Sequence, residues 1–132
     1  MAQDSFERAC DRLSGAVDGV LFERLRWART EGPMLARLVE LAQGAIEGRG
    51  DFELSEEGST AERKRFILKV HSNRVIAMTI CLNRGWTELA AETIERSAYR
   101  LSDTTPLTAE FAAVDEQWMA AALQEIFSRI QA

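Results

Sequence analysis

The chain has 132 residues, of which 46% are hydrophobic and 28% charged, and its formal net charge is −5. This length and composition are typical of one globular domain with its own core, and they exclude a disordered or fibrous chain. We therefore predict a single domain over residues 1–132. A negative chain also lacks the basic surface that nucleic-acid phosphates require, so nucleic acid is not an expected partner.

The sequence also bears on where the protein acts. No apolar run is long enough to cross a bilayer, and the first residues do not have the pattern of a secretory signal. The two cysteines, Cys10 and Cys81, are far apart and have no metal-ligand spacing, which is typical of free thiols in a reducing compartment. We expect a cytoplasmic protein that does not bind a membrane.

Two helices are predicted at the N-terminal end. Asp4 is a suitable N-cap, and apolar residues then recur every three or four positions, which predicts one helix to about Ala28. Gly15 and Gly19 lie inside it and indicate either a close helix–helix approach or a break. The apolar stripe consists of Phe6, Cys10, Leu13, Val17, Leu21, Leu25 and Ala28. A second helix is expected over residues 33–48, and the short connection predicts an antiparallel helix pair.

The strongest strand signal lies in residues 65–82, where two apolar runs rich in valine and isoleucine flank a short polar break. A three-residue loop over 72–74 would pair Val70 with Ile76 and place the apolar residues of both strands on one face. We predict this loop, with Asn73 or Arg74 in the left-handed conformation and asparagine the better candidate. The opposite face is too apolar for full exposure to solvent, so something must cover it.

The remaining elements complete an α+β domain. A first strand is predicted at residues 51–55, which makes a three-stranded antiparallel meander. Apolar spacing together with alanine and glutamate favours a helix over residues 86–101, with a fourth strand as the alternative. A final helix is expected from Pro106 to about Ile130, and a new helix starting near Asp115 is the alternative. The C-terminal helix or helices should pack on the apolar face of the sheet.

No pattern in the chain points to a catalytic, cofactor or metal site. Its one histidine, His71, lies beside the predicted turn without a partner at ligand spacing, and is interpreted as a solvated turn residue. Cys81 has no neighbour in sequence that would activate a thiol. The glutamates of residues 88–95 are interpreted as a solvated helix face. We expect no cofactor and no metal, and the sequence leaves open whether the protein is an enzyme.

The best candidate for a ligand-binding site is a basic group near the end of the first helix. Arg24, Arg26 and Arg29 surround Trp27 there, and guanidinium groups beside an aromatic ring suit a carboxylate or phosphate. The competing interpretation is a solvated helix end, where the helix dipole favours cations.

The apolar helix stripes are wider than one small sheet needs for its cover. We therefore predict a small cytoplasmic protein-interaction module without catalytic activity, acting as a homodimer. The alternative is a domain that binds or transforms a small anion in a pocket between helices and sheet, using the three arginines. Nucleic-acid binding through the same arginines is a third and weaker hypothesis.

Overall fold

The computed structural model describes residues 2–132, with side chains described from residue 4 onward. Its helices are α1 (Ala2–Val17), α2 (Gly19–Arg29), α3 (Glu31–Ile46) and α4 (Glu116–Ser128), with a 3-10 turn at Phe111–Ala113. Its strands are β1 (Phe52–Glu56), β2 (Arg63–Val70), β3 (Asn73–Asn83), β4 (Trp86–Glu92), β5 (Arg100–Leu101), β6 (Leu107–Glu110) and β7 (Ile130–Gln131). The expected α+β class is confirmed, with more helices and strands than predicted. The chain forms two compact units, one up to Pro33 and one from Met34 onward.

The first unit contains a break that divides the predicted long helix in two. Asp18 has an extended backbone, and its carboxylate accepts a hydrogen bond from the Leu21 amide at 3.0 Å, so it caps a new helix. Aspartate stabilises a helix N-terminus better than a helix interior, which explains the break at this position. Gly15 gives the close approach, because a Cβ there would lie 3.6 Å from the Phe22 ring. The helix α2 therefore folds back along α1.

In the second unit, five strands form an antiparallel sheet in the order β1-β2-β3-β4-β6, and β5 pairs with β7. The strand predicted at residues 51–55 is confirmed as β1. The helix predicted over residues 86–101 is wrong, and the alternative fourth strand is present as β4. Arg84 and Gly85 both have positive φ, at 52° and 80°, and form a two-residue turn between adjacent strands. Side chains alternate along β4, so Thr87, Leu89 and Ala91 are all buried.

The turn between β2 and β3 also differs from the prediction. The three-residue loop is wrong, because His71 and Ser72 form a two-residue turn with φ of 49° and 65°. Asn73 is instead the first residue of β3 and pairs with Val70. Positive φ at both turn residues matches the twist of the flanking strands, although neither residue type is the usual one for this turn.

A bulge in β3 restores the predicted apolar face. The register shifts between Leu68 and Lys69, and Val75 is the extra residue on β3. Beyond the bulge, Phe66 pairs with Met78, so the apolar side chains of both strands again share one face. One inserted residue thus compensates for the shorter loop.

The C-terminal helix starts later than predicted. Asp115 caps α4 by accepting a hydrogen bond from the Trp118 amide at 2.8 Å, so a helix from Pro106 is wrong and the alternative start is confirmed. The chain before it forms β6, which pairs with β4 along the sheet edge.

The core of the second unit consists of buried side chains from α3, α4 and both faces of the central strands. The buried helix residues are Leu35, Leu38, Leu41, Ala42, Met119, Ala122, Leu123 and Ile126. Phe127 of α4 lies 5.7 Å from Phe52 of β1, measured between ring centroids. On the opposite face, Ile67 and Ala77 are also fully buried, as the expectation of a covered second face requires.

Polar side chains of the second unit cover part of this opposite sheet face. Arg65 lies on this face and donates from Nε to Glu92 Oε1 at 3.0 Å. Beyond the end of β4, the Ser97 hydroxyl donates to the Val75 carbonyl at 2.6 Å. The second sheet face is therefore closed at least partly by residues of its own unit.

Candidate functional site

The predicted arginine group lies on α2 and at its C-terminal end. Arg26 Nε is 3.1 Å from Glu23 Oε2, and its Nη1 is 3.6 Å from Glu31 Oε1. The hydrogen bond and charge of Glu23, with a contribution from Glu31, raise the pKa of Arg26. Arg29 Nη2 is 3.8 Å from Asp11 Oδ1 on α1. Two of the three arginines are thus already matched by carboxylates of their own unit.

The other two members of the group are placed differently. Arg24 is exposed and makes no ion pair with any residue from 4 to 132. Trp27 is half-buried, and its indole ring would be 3.4 Å from a Cβ placed on Gly32. The four residues do not converge on one of the grooves described below, where only Arg29 takes part. Anion binding by Arg24, Arg26, Arg29 and Trp27 stays a prediction.

The same two helices expose large apolar side chains. Phe6 is 67% exposed and Val17 is 79% exposed on α1, and Val20 is 73% exposed on α2. We call the whole set the hairpin surface; it consists of Phe6, Leu13, Val17, Val20, Leu21 and Leu25. In the rest of the described chain, Trp86 and Tyr99 are the only other large apolar side chains that are exposed. No residue of α2 is buried, so the apolar side chains of this helix stay at least partly in contact with solvent.

A groove of about 450 Å³ lies between α1 and α2. Its apolar lining includes Phe22 and Leu25, and its polar lining includes Asp11 and Arg29, which pair with each other. Cys10 also lines it, with an exposed free thiol. The groove therefore combines an apolar floor with a rim that carries two carboxylates, of Glu7 and Asp11, and one guanidinium, of Arg29.

The apolar spacing of residues 6–28 predicted a stripe but not its exposure to solvent. Periodicity predicted that Phe6, Leu13 and Leu25 share one face of a single helix, and such a face is usually buried against the rest of the domain. In the structure these side chains are exposed to solvent.

The first unit also carries little net charge. Up to Pro33 the chain has six acidic and five basic residues, so this unit accounts for little of the net charge of −5.

Other candidate groups for chemistry are isolated. His71 is exposed in its turn. Cys81 Sγ lies 3.6 Å from Glu88 Oε2, and burial together with the charge of Glu88 raises the pKa of Cys81, which lowers its thiolate fraction. Within the described part of the chain, no three or more histidine, cysteine, aspartate or glutamate residues are grouped so that they could hold a metal ion.

Comparisons with known proteins give no further guide. No family model matches the chain, and neither the search of curated proteins nor that of solved structures found a significant match. Among residues 2–132, none of the helices combines the length and the apolar character that crossing a membrane requires. Function is therefore inferred from the fold and the surfaces of the chain itself.

Proposed function

We propose that the protein is a small protein-interaction module that forms a homodimer through the hairpin surface. The observation that carries this proposal is the exposure of six large apolar side chains on a two-helix unit, one helix of which has no buried residue. Contiguous exposed apolar patches are typical of protein interaction sites. Full burial of one such side chain contributes about 1.5–3 kcal/mol, so several together can stabilise an interface.

A second copy of the chain is the partner that this surface suits. A twofold interface places the same patch on both subunits, so its charges must not repel across the axis. Six acids against five arginines make this unit nearly neutral, whereas most of the net charge of −5 lies beyond Pro33. Two helical hairpins packed face to face form a four-helix arrangement, which buries apolar stripes of this width. The groove between α1 and α2 would then receive side chains of the partner.

The proposal includes a cytoplasmic location and an activity without catalysis. The support for the location is the two thiols, Cys10 and Cys81, which are both free, with Cys10 exposed. An accessible free thiol is typical of proteins kept in a reducing compartment. The net charge of −5 is unfavourable for a nucleic-acid partner. Cell fractionation of the tagged full chain, with detection in the cytosolic fraction, is the check on location.

Sedimentation velocity of the full chain over a wide concentration range tests the dimer. We expect a dimer that dissociates on dilution, and a Leu13→Glu, Val20→Glu variant that stays monomeric because each carboxylate would be buried in the interface. Glutamate keeps good helix propensity, so circular dichroism should show unchanged helix content. The matched control is Tyr99→Glu, outside the hairpin surface, which should still dimerise. A wild-type chain that is monomeric at every concentration would overturn the proposal.

A further inference from the structure

A second groove, of about 520 Å³, lies within the unit that begins at Met34. Its helix side is formed by the last turns of α3, with Glu40, Gly44 and Ile46, and by Glu47 directly after the helix. Its strand side is formed by β1, including Leu54. We call it the α3–β1 groove. It runs along an edge of the sheet, because β1 pairs with β2 and with no other strand of the described residues.

The pairing of β1 shows which of its backbone groups face the groove edge. At one end His71 N–H donates to Asp51 O at 2.8 Å, and at the other Glu57 N–H donates to Arg65 O at 3.1 Å. Hydrogen-bonded residues alternate along an antiparallel ladder, so the odd-numbered residues of β1 bond to β2. Leu54 and Glu56 therefore direct their N–H and C=O groups away from the sheet. This is the template to which another strand can add.

The groove has a negative rim. Glu40, Glu47 and Glu53 line it, and no lysine or arginine among the residues with described side chains does. Arg37 approaches Glu40 at 3.5 Å, whereas no ion pair is formed by Glu47 or Glu53 with residues 4–132. Carboxylates at an accessible groove attract a positively charged partner and disfavour a negative one.

Between these carboxylates the groove has apolar contacts and free space. Ile46, Phe52 and Leu54 are half-buried, so part of each side chain is still open to contact. Gly44 leaves open space at the helix surface, because among the described residues, apart from its chain neighbours and its own helix backbone, no atom lies within 4 Å of the position its Cβ would occupy. A backbone can thus approach α3 at this point more closely than at an ordinary helix residue.

We propose that the α3–β1 groove binds an extended, basic segment of a partner protein, which adds to the sheet as a sixth strand beside β1. Side chains of one parity in this segment are aliphatic and pack on Ile46 and Leu54. Those of the other parity are lysine or arginine, long enough to reach Glu47 and Glu53. Backbone hydrogen bonds to Leu54 and Glu56 supply sequence-independent affinity. This site is separate from the hairpin surface and does not require the dimer.

The test uses the full chain and a short acetylated and amidated peptide of alternating lysine and valine. Amide hydrogen exchange followed by NMR should show new protection at Leu54 and Glu56, the two outward-facing amides, at low ionic strength. Amides of the odd-numbered residues, already bonded to β2, should change little. Added salt should weaken binding, because the ion pairs are exposed. A peptide of alternating glutamate and valine should not bind.

Two controls separate strand addition from simple charge attraction. N-methylation of the peptide at alternate residues removes backbone donors and keeps every charge, and we expect it to abolish protection of Leu54 and Glu56. Glu47→Gln and Glu53→Gln should each weaken binding about twofold to fivefold, as expected for an exposed ion pair. Glu62→Gln, exposed and outside the groove, should leave binding unchanged.

Three results would overturn the proposal. These are no binding at low salt, equal binding of the N-methylated peptide, or chemical-shift changes confined to α1 and α2. Sedimentation of the same samples reports the oligomeric state independently, so failure of the groove and failure of the dimer are distinguishable.

Discussion

The two units of this chain use the same kind of apolar periodicity for opposite purposes. From Met34 onward, apolar side chains close a core in which Leu38, Ile76 and Leu89 are each 0% exposed. In the α1–α2 hairpin, an equally regular stripe leaves Leu13 66% exposed. A strand or helix stripe therefore indicates a face that will be covered, and it does not say which molecule covers it.

The two units should differ most in how the same substitution, leucine to alanine, changes the free energy of unfolding. Leu38→Ala should lower the free energy of unfolding by about 2–5 kcal/mol, because it leaves a cavity in a closed core. Leu13→Ala should change it by less than about 0.5 kcal/mol at dilutions where the chain is monomeric, since the side chain is already in water. Urea unfolding at low protein concentration measures both. Equal losses in the two variants would show that the hairpin stripe is buried in the monomer.

A smaller difference in stability is expected between glycine substitutions in the two units. Gly85 has φ of +80° in the β3–β4 turn, and Gly19 is helical, with no described atom outside its chain neighbours and its own helix backbone within 4 Å of its Cβ position. Gly85→Ala should destabilise the chain by about 1 kcal/mol, because alanine is strained at positive φ. Gly19→Ala should be neutral or stabilise by up to about 1 kcal/mol, by restricting the unfolded chain. Thermal unfolding of the two variants measures both effects. A destabilised Gly19→Ala variant would contradict the prediction, because it would indicate that another group lies close to α2.

The smallest effect concerns pH and a surface ion pair of the sheet unit. Arg74 donates to Glu57 at 2.7 Å, and this hydrogen bond holds the pKa of Glu57 below its ordinary value of 4.5. A carboxyl whose pKa is lower in the folded state adds stability above its unfolded pKa, and that stability is lost as pH falls through the folded pKa. In Arg74→Gln, NMR titration should show a higher pKa for Glu57 and a smaller loss of stability on acidification below about pH 4.5. An unchanged pKa in this variant would contradict the assigned cause.

Local sequence patterns predicted much of the sheet. Alternation identified β1, β2 and β3, and it assigned Phe66 and Met78 to the same face, although the loop length was wrong. The turn could not be predicted because His71 and Ser72 are unusual at positive φ, and only the bulge at Val75 makes that turn compatible with a buried face. Such compensation depends on cross-strand packing, which a single strand does not reveal.

The remaining errors have similar causes. In β4, apolar residues fit both helical and strand spacing, and the decision rests on the Arg84-Gly85 turn and on pairing with β3. Tertiary pairing of this kind overrides helix propensity. For the candidate site, the sequence located Arg26 and Arg29 near a helix end, but not the distant carboxylate Asp11 that pairs with Arg29.

The two thiols of this chain differ in environment, so the native Cys10 can serve as a reactive probe of the α1–α2 hairpin without an engineered cysteine. Cys10 is exposed in the groove between α1 and α2, whereas Cys81 is half-buried beside Glu88, which together with burial raises its pKa. A maleimide should therefore react first at Cys10. Its rate reports how accessible that groove is, and occupation of the groove by any partner should slow it.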